Sequence, residues 1–340
     1  MSKLAVPLIK EVSNDLNEAG FQVSLFNNYQ SRNTSFDLIA RRKELTLLIK
    51  CLYYIDKFKS ILAKELKMIS KIISGYPLII GKYTRNKDDK IYPGFIYPRK
   101  GILAMNIETL RGLIENVFPI IIANRGKYLV NLNSKLLQER RNEMNLSLKG
   151  LADKIHISRR AISMYERGEI SAKLEVVLDI EKVLNVPLEI MAEPLNIYQM
   201  IKDNLNKISL QKKKLSSLEK DFRRELNDYF QEIGLDAFWT EKSLFDAITK
   251  QDREIDLPEL MKKHFIITGV ENSEEDVAKN LESKSRIINN ISRVLESLSM
   301  IVLDHDIDSK LNTPALSLKD LKKIRNAREL FKKLYRESNY

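Results

Sequence analysis

A chain of 340 residues with 44% hydrophobic content is long enough for two or three separately cored domains, at roughly 100–200 residues each. One cysteine, Cys51, excludes a disulfide framework, and three histidines far apart in sequence, His156, His264 and His305, exclude a structural zinc cluster. The net charge of +11 is unevenly placed: residues 1–133 hold 21 basic and 11 acidic side chains, residues 134–192 hold 10 and 9, and residues 193–340 hold 26 of each. A basic first third beside two neutral segments points to a polyanion, most simply nucleic acid, although lysine-rich surfaces also serve solubility alone. No apolar run approaches the ~18 residues of a membrane span and the first residues lack a signal h-region, so the expectation is a soluble, cytoplasmic protein with no membrane partner.

In chain order, a helical stretch Leu8–Glu18 ends at Gly20 and is followed by strands at 21–26, Ser35–Ala40 and Leu45–Ile49. A helix with Phe58, Ile61, Leu62, Leu66, Ile69, Ile72 and Ile73 on one face stops at Gly75-Tyr76-Pro77, before the strand Leu78–Ile80 and a polar loop Thr84–Lys90. Pro119–Ala123, a turn at 124–127 and Tyr128–Leu132 form a hairpin, with Gly126 free to take the positive φ such turns require. Arg125 and Lys127 at its tip read either as a polar turn or as a wing beside a nucleic acid.

After Pro194, Ile201, Ile208, Leu215, Phe222 and Tyr229 recur every seventh residue, predicting one long amphipathic helix with coiled-coil character. Lys212-Lys213-Lys214 interrupts the stripe, so packing on the chain's own domains is the alternative to a two-chain contact. From Glu225 onward the opening order recurs: a helix to Gly234, strands at Leu235–Trp239, Leu244–Ile248 and His264–Ile267, the helix Glu274–Leu298 and the strand Met300–Leu303. Ser35-Phe36-Asp37-Leu38-Ile39 aligns with Leu244-Phe245-Asp246-Ala247-Ile248, and Glu11 precedes Gly20 as Glu225 precedes Gly234, which predicts a duplicated α/β domain.

Residues 134–192 carry the strongest motif. Ser134 is placed to cap a first helix through Met144, Ser147 a second over 148–155, and Ser158 a third that closes at Gly168. Leu174, Val177, Leu178, Ile180 and Leu184 supply the apolar face of a fourth. Leu151, Ala152, Ile155, Ile157, Ile162 and Tyr165 would form the core and leave Arg159, Arg160, Ser163 and Met164 pointing outward. This pattern resembles the helix-turn-helix of the Cro/phage-repressor (XRE) superfamily. The resemblance implies that helix 158–167 enters the major groove of double-stranded DNA, where an Arg pairs bidentately with guanine O6 and N7 and Met164 offers apolar contact. It also implies that Arg141 and Glu166 bridge the first and third helices. The family's phosphate-orienting glutamine is Leu148 here, so backbone amides near Ser147 and the Lys149 side chain would substitute. Arg167 and Lys173 read equally as phosphate contacts or as solvated charges, and Arg160 also as a surface charge. The DNA-binding set is therefore Ser147, Lys149, Ser158, Arg159, Arg160, Ser163, Met164, Arg167 and Lys173.

Glu11 on a helix, Asp37 at a strand and Lys50 ending the next strand resemble the PD-(D/E)xK nuclease and archaeal Holliday-junction resolvase fold, whose carboxylates hold Mg²⁺ and whose lysine polarises the attacking water. Leu48-Ile49-Lys50 puts leucine at the middle ligand position, and Ile267-Thr268-Gly269 lacks even the lysine, so both units read as inactive relatives with no cofactor. Over the whole chain the element order resembles archaeal proteins described as HTH-type transcriptional regulators.

The expected architecture is α+β and multidomain, with a central five-helix Cro/repressor-like domain between two restriction-endonuclease-like α/β domains and a long linker helix. Its parts are a basic α/β domain (1–116), a hairpin (117–133), the helix-turn-helix domain (134–192), the linker helix (193–230) and a second α/β domain (231–340). The expected function is sequence-specific regulation of transcription by a non-enzymatic homodimer. The alternatives are a Mg²⁺-dependent structure-selective nuclease using Glu11, Asp37 and Lys50, and a DNA-bound scaffold recruiting a partner such as the transcription machinery. Neither a Walker-type loop nor G-x-G-x-x-G occurs.

Overall fold

The computed structural model describes residues 5–25, 34–124, 126–210, 221–251, 265–271, 277–304 and 311–338, without the side chains of residues 221 and 277–280. The chain divides into two compact units, one of Met1–Lys50, Lys59–Pro77 and Leu205–Tyr340, the other of Cys51–Phe58 and Leu78–Asn204. Among the described residues, no helix is long and apolar enough to cross a membrane.

The first unit opens with α1 (Val6–Glu18), β1 (Gln22–Leu25), β2 (Leu38–Arg42), β3 (Leu45–Tyr54), α2 (Ser60–Ile72) and the start of β4 (Tyr76–Tyr83). Leu8, Val12 and Leu16, four apart, are the buried stripe of α1, and Gly20 ends it at φ +80°. The antiparallel β2–β3 pair sets Leu38 opposite Ile49 and Ile39 opposite Leu48. β3 is twice as long as the predicted strand, because Leu47–Cys51 is buried on both faces and carries no alternation to mark its end. On α2, Leu62, Leu66, Ile69 and Ile72 are buried as expected, whereas Ile61 is 50% exposed.

In the second unit follow β5 (Phe95–Arg99), β6 (Ile102–Met105), α3 (Ile107–Ile114), β7 (Ile121–Asn124) and β8 (Lys127–Val130). The segment β5–β6–α3 was not anticipated. Its turn is Lys100-Gly101, both at positive φ, and Asn106 caps α3 by accepting from the Thr109 N–H at 2.9 Å. Next come α4 (Ser134–Glu143), α5 (Leu148–Lys154), α6 (Arg159–Glu166), β9 (Ala172–Lys173), α7 (Leu174–Leu184), α8 (Leu188–Met191) and α9 (Ile197–Asn206). Strand β8 pairs with β9, and Ile121, Val130 and Leu132 share one core with Leu137, Leu151, Ile162, Tyr165, Val177 and Ile180. The hairpin is thus built into the helical block.

The predicted continuous helix over 193–230 is corrected. α9 ends at Asn206, residues 208–210 are not helical, and α10 (Asp221–Glu232) is a separate helix. The Ile208 carbonyl, which a continuing helix would bond internally, instead accepts from Lys71 Nζ at 2.5 Å. The apolar stripe is used inside the chain: Ile201 and Leu205 are buried on α9, and Leu226, Tyr229 and Phe230 on α10. Leu215, Leu218 and Lys212-Lys213-Lys214 lie outside the described residues.

The first unit resumes with α10, β10 (Leu235–Trp239), β11 (Ala247–Gln251), β12 (Phe265–Glu271), α11 (Val277–Leu295), β13 (Leu298–Leu303), β14 (Ala315–Ser317), α12 (Leu318–Leu321) and α13 (Ala327–Ser338). The order from α10 to β13 repeats that from α1 to β4. Residues 244–246, expected in a strand, precede β11, and Leu298 begins β13 rather than ending the helix. Register repeats too: the Asp37 N–H donates to the Ile49 carbonyl at 2.8 Å and the Asp246 N–H to the Thr268 carbonyl at 2.9 Å. The two segments meet at the corresponding residues Phe36 and Phe245, with ring centroids 6.4 Å apart. Glu65 accepts from the Glu241 and Lys242 N–H groups and from Ser243 Oγ. Arg41 donates to the Leu295 carbonyl at 2.8 Å and pairs with Glu296.

Candidate nucleic-acid interface

The helix-turn-helix is assembled by its caps. Ser147 Oγ accepts from the Gly150 N–H at 2.9 Å and Ser158 Oγ from the Ala161 N–H at 3.1 Å, starting α5 and α6 where the sequence placed them. The first cap is corrected by one residue: Asn133 caps α4 through the Leu136 N–H, and Ser134 Oγ donates to the Tyr165 carbonyl at 2.8 Å. Asn133 reaches the orphan amide first, which releases Ser134 to tie α4 to α6. Leu151, Ala152, Ile155, Ile162 and Tyr165 are buried, whereas Leu178, expected on the apolar face of α7, is 39% exposed.

Burial of Ile162 and Tyr165, three residues apart, fixes the rotation of α6. Arg159 and Arg160 are exposed on its first turn, and Ser163 and Met164 are half-buried one turn later. Ser147, Lys149, Ser158, Arg167 and Lys173 are exposed. Neither α5 nor α6 has an acidic residue in its first turn. Lys149 and the two arginines therefore sit at the positive ends of helix dipoles, a placement that costs about 0.3–1 kcal/mol of helix stability and strengthens attraction for an anion.

Arg141 and Glu166 form the expected bridge. Two parallel hydrogen bonds of 2.5 and 3.0 Å join side chains only 9% and 8% exposed, and a third runs from Arg141 to the Leu146 carbonyl. The hydrogen bond to Glu166 raises the Arg141 pKa above its ordinary value. Arg167 is engaged within the protein, donating to both oxygens of Glu169 and to Ser163 Oγ. That hydrogen bond holds the Glu169 carboxyl below its usual range, with Arg160 adding a weaker pull. Leu148, at the position of the superfamily's phosphate-orienting glutamine, is half-buried against the core.

The nuclease-like constellation is also brought together in part. Lys50 Nζ lies 2.8 Å from Asp37 Oδ1 and donates to Thr34 Oγ1 at 3.3 Å, with side chains 8% and 15% exposed for Lys50 and Asp37. Leu48 is fully buried. Leu48 has no donor atom, and Asp37 Oδ1 is engaged by an ammonium group, so the set is short of one carboxylate for a divalent cation. Among the described residues, no group of three His, Cys, Asp or Glu is placed to hold a metal.

In the second segment Gly269 occupies the position corresponding to Lys50, and a Cβ there would come within 2.6 Å of Ile288 Cδ1. Lys284 on α11 supplies an ammonium 2.7 Å from Asp246 Oδ2; Arg223 reaches Oδ1 at 2.5 Å and the Val270 N–H reaches Oδ2 at 2.8 Å. Reading the sequence missed this clasp, because Lys284 and Arg223 come from helices on either side of the strands and no spacing announces their convergence.

Residues 6–119 match the PD-(D/E)XK superfamily domain and residues 137–191 match the helix-turn-helix family. A protein of Methanocaldococcus jannaschii is 33% identical over 295 residues, covering 87% of this chain and 86% of its own length. A protein of Methanococcus vannielii is 29% identical over 327 residues, with 93% of each chain covered. One of Pyrococcus furiosus is 29% identical over 318 residues, covering 93% of this chain and 92% of its own length. All three are named, provisionally, as HTH-type transcriptional regulatory proteins.

Proposed function

We propose, from the premise that this chain belongs to the family of HTH-type transcriptional regulatory proteins that includes these archaeal relatives, that it regulates transcription by reading the sequence of double-stranded DNA with α6. The observation that carries this reading is the pair Arg159 and Arg160, exposed on the first turn of a helix whose opposite face is locked by Ile162 and Tyr165. Each arginine presents the planar fork that pairs with guanine O6 and N7, worth about 1–3 kcal/mol of discrimination. Lys149, Ser147 and the α5 and α6 amide ends contact phosphate. The protein acts as a homodimer on half-sites about one helical turn (~34 Å) apart, and the cytoplasm is its compartment.

Competition between a preferred duplex and a scrambled one tests the reading. Arg159→Ala with Arg160→Ala removes the preference, while low-salt binding persists through the basic first third of the chain. Full preference in the double variant would refute the assignment of α6.

The repeated α/β segments are a duplicated nuclease-like domain in which Asp37 and Asp246 serve ion pairs rather than metal binding. This supports a non-enzymatic role, with the pair of segments available to recruit the transcription machinery. Purified protein is expected to leave branched DNA uncut in Mg²⁺; cleavage lost in Asp37→Ala would establish the nuclease alternative.

A further inference from the structure

We infer that the β7–β8–β9 sheet is a second DNA contact, a wing whose outer face grips a backbone phosphate beside the recognition helix through Lys127 and Lys173. The inference rests on the reading of α6 as the base-reading helix and extends it to elements outside the helix-turn-helix motif.

Strand alternation assigns the faces. Ile121 lies opposite Val130, and Val130 opposite Ala172; all three are buried in the core shared with Leu151, Ile162 and Tyr165. The intervening positions form the other face: Asn124 opposite Lys127, and Leu129 between Ile122 and Lys173. Asn124, Lys127 and Lys173 are exposed. Two lysines on adjacent strands therefore project from one side of a sheet whose other side is anchored under α6.

That face borders a cavity of about 510 Å³ lined by Asn124, Lys127, Leu129, Tyr165, Ser171 and Lys173. Tyr165 belongs to α6, and Ser171 and Lys173 to the segment directly after it, so the cavity flanks the end of the recognition helix opposite to Arg159. Its polar lining supplies the Asn124 amide and two ammonium groups, donors suited to an anionic oxygen. Neither lysine has an acidic partner among the described residues, in contrast to Arg167, whose guanidinium is taken up by Glu169.

The frame is rigid. Ser171 Oγ donates to Asn131 Oδ1 at 2.7 Å, the Asn133 N–H to the Met191 carbonyl at 2.8 Å, and the Glu193 N–H to the Asn131 carbonyl at 2.8 Å. A nucleic-acid backbone is favoured over a free anion because the cavity is lined by Tyr165 of α6 itself and by Ser171 and Lys173 of the segment that follows it.

The test uses the full chain, a duplex recovered from a randomised pool and a scrambled duplex of the same composition, with binding measured across a salt series. Lys127→Ala with Lys173→Ala is expected to weaken both duplexes by the same factor, about tenfold or more at near-physiological salt. The slope of log K against log salt should fall by about 0.9 for each bound protomer, since the pair holds one phosphate and each lost phosphate contact removes about 0.9. Lys127→Arg with Lys173→Arg should restore the slope. An unchanged slope in the alanine variant while the wild type binds would overturn the wing and leave α6 standing. Loss of discrimination with unchanged affinity for the scrambled duplex would also overturn it, because the lysines would then be reading bases. If the wild type binds without sequence preference and the slope still falls, the wing stands and the specific reading of α6 fails. Wild type that binds neither duplex refutes both.

Discussion

At the residue scale, the sharpest contrast lies between arginines of the same domain. Arg141 is buried and bonded at both ends of its fork, so Arg141→Ala strands the Glu166 carboxylate in a site where it is 8% exposed. The expected cost is about 3 kcal/mol, seen as a lower denaturation midpoint of the unit holding the helix-turn-helix. Arg159 is exposed, so its replacement should leave that midpoint unchanged. Arg159→Lys separates fork from charge: preference for the selected duplex should drop by about tenfold or more while the salt slope stays the same. A retained preference would mean that Arg159 acts only as a charge. The outward placement of Arg159 and Arg160 was legible in the sequence, because the positions of Ile162 and Tyr165 determine which side chains of α6 turn inward, whereas the Arg141–Glu166 bridge was implied only by the resemblance to the Cro/phage-repressor superfamily. The engagement of Arg167 was not legible, since Glu169 and Ser163 lie close by in sequence but only the turn at Gly168 brings their oxygens to one guanidinium.

At the element scale, the two α/β segments solve one problem in two ways. In the first, the strand lysine neutralises Asp37 from within the sheet; in the second, glycine takes that place and Lys284 reaches over from α11. The position of the glycine explains the exchange, because a side chain at 269 would collide with Ile288 before it reached Asp246. Asp246→Ala should therefore destabilise the unit by about 1–3 kcal/mol, leaving the partly buried Arg223 and the Val270 N–H without the carboxylate and Lys284 with Glu271 alone. An unchanged denaturation midpoint would show that the clasp contributes nothing. On α10, burial pushes the Tyr229 phenol up to about 12, and its hydroxyl lies 2.6 Å from the Leu321 carbonyl. Its folded pKa exceeds the unfolded value of about 10, so its contribution is complete below pH 10 and is lost as pH rises through 12. Tyr229→Phe should flatten that part of the alkaline unfolding profile; an identical profile would contradict the assignment. The heptad stripe of 193–230 misled because periodicity reports an apolar face and not what covers it. Ile201, Leu205, Leu226 and Tyr229 are covered by the chain itself.

At the scale of the whole molecule, the repeated order of helices and strands was legible because each segment carries its own apolar pattern, and the Ser35–Ile39 match survives as a shared register. What the sequence left dark comes from contacts between distant residues. The β8–β9 pairing joins residues about forty apart in sequence and turns a simple hairpin into part of the helix-turn-helix core, and Glu65 holds the backbone of residues 241–242. The charge excess in residues 1–133 also belongs to this scale, as the source proposed for a non-specific affinity distinct from the base reading proposed for α6. Selection of bound duplexes from a randomised pool at near-physiological salt, run in parallel on the wild type and on Arg159→Ala with Arg160→Ala, separates the two. The account predicts that the wild type converges on an inverted repeat with half-site centres one helical turn apart, while the variant retains binding but yields no consensus. Recovery of the same consensus by both proteins would contradict it.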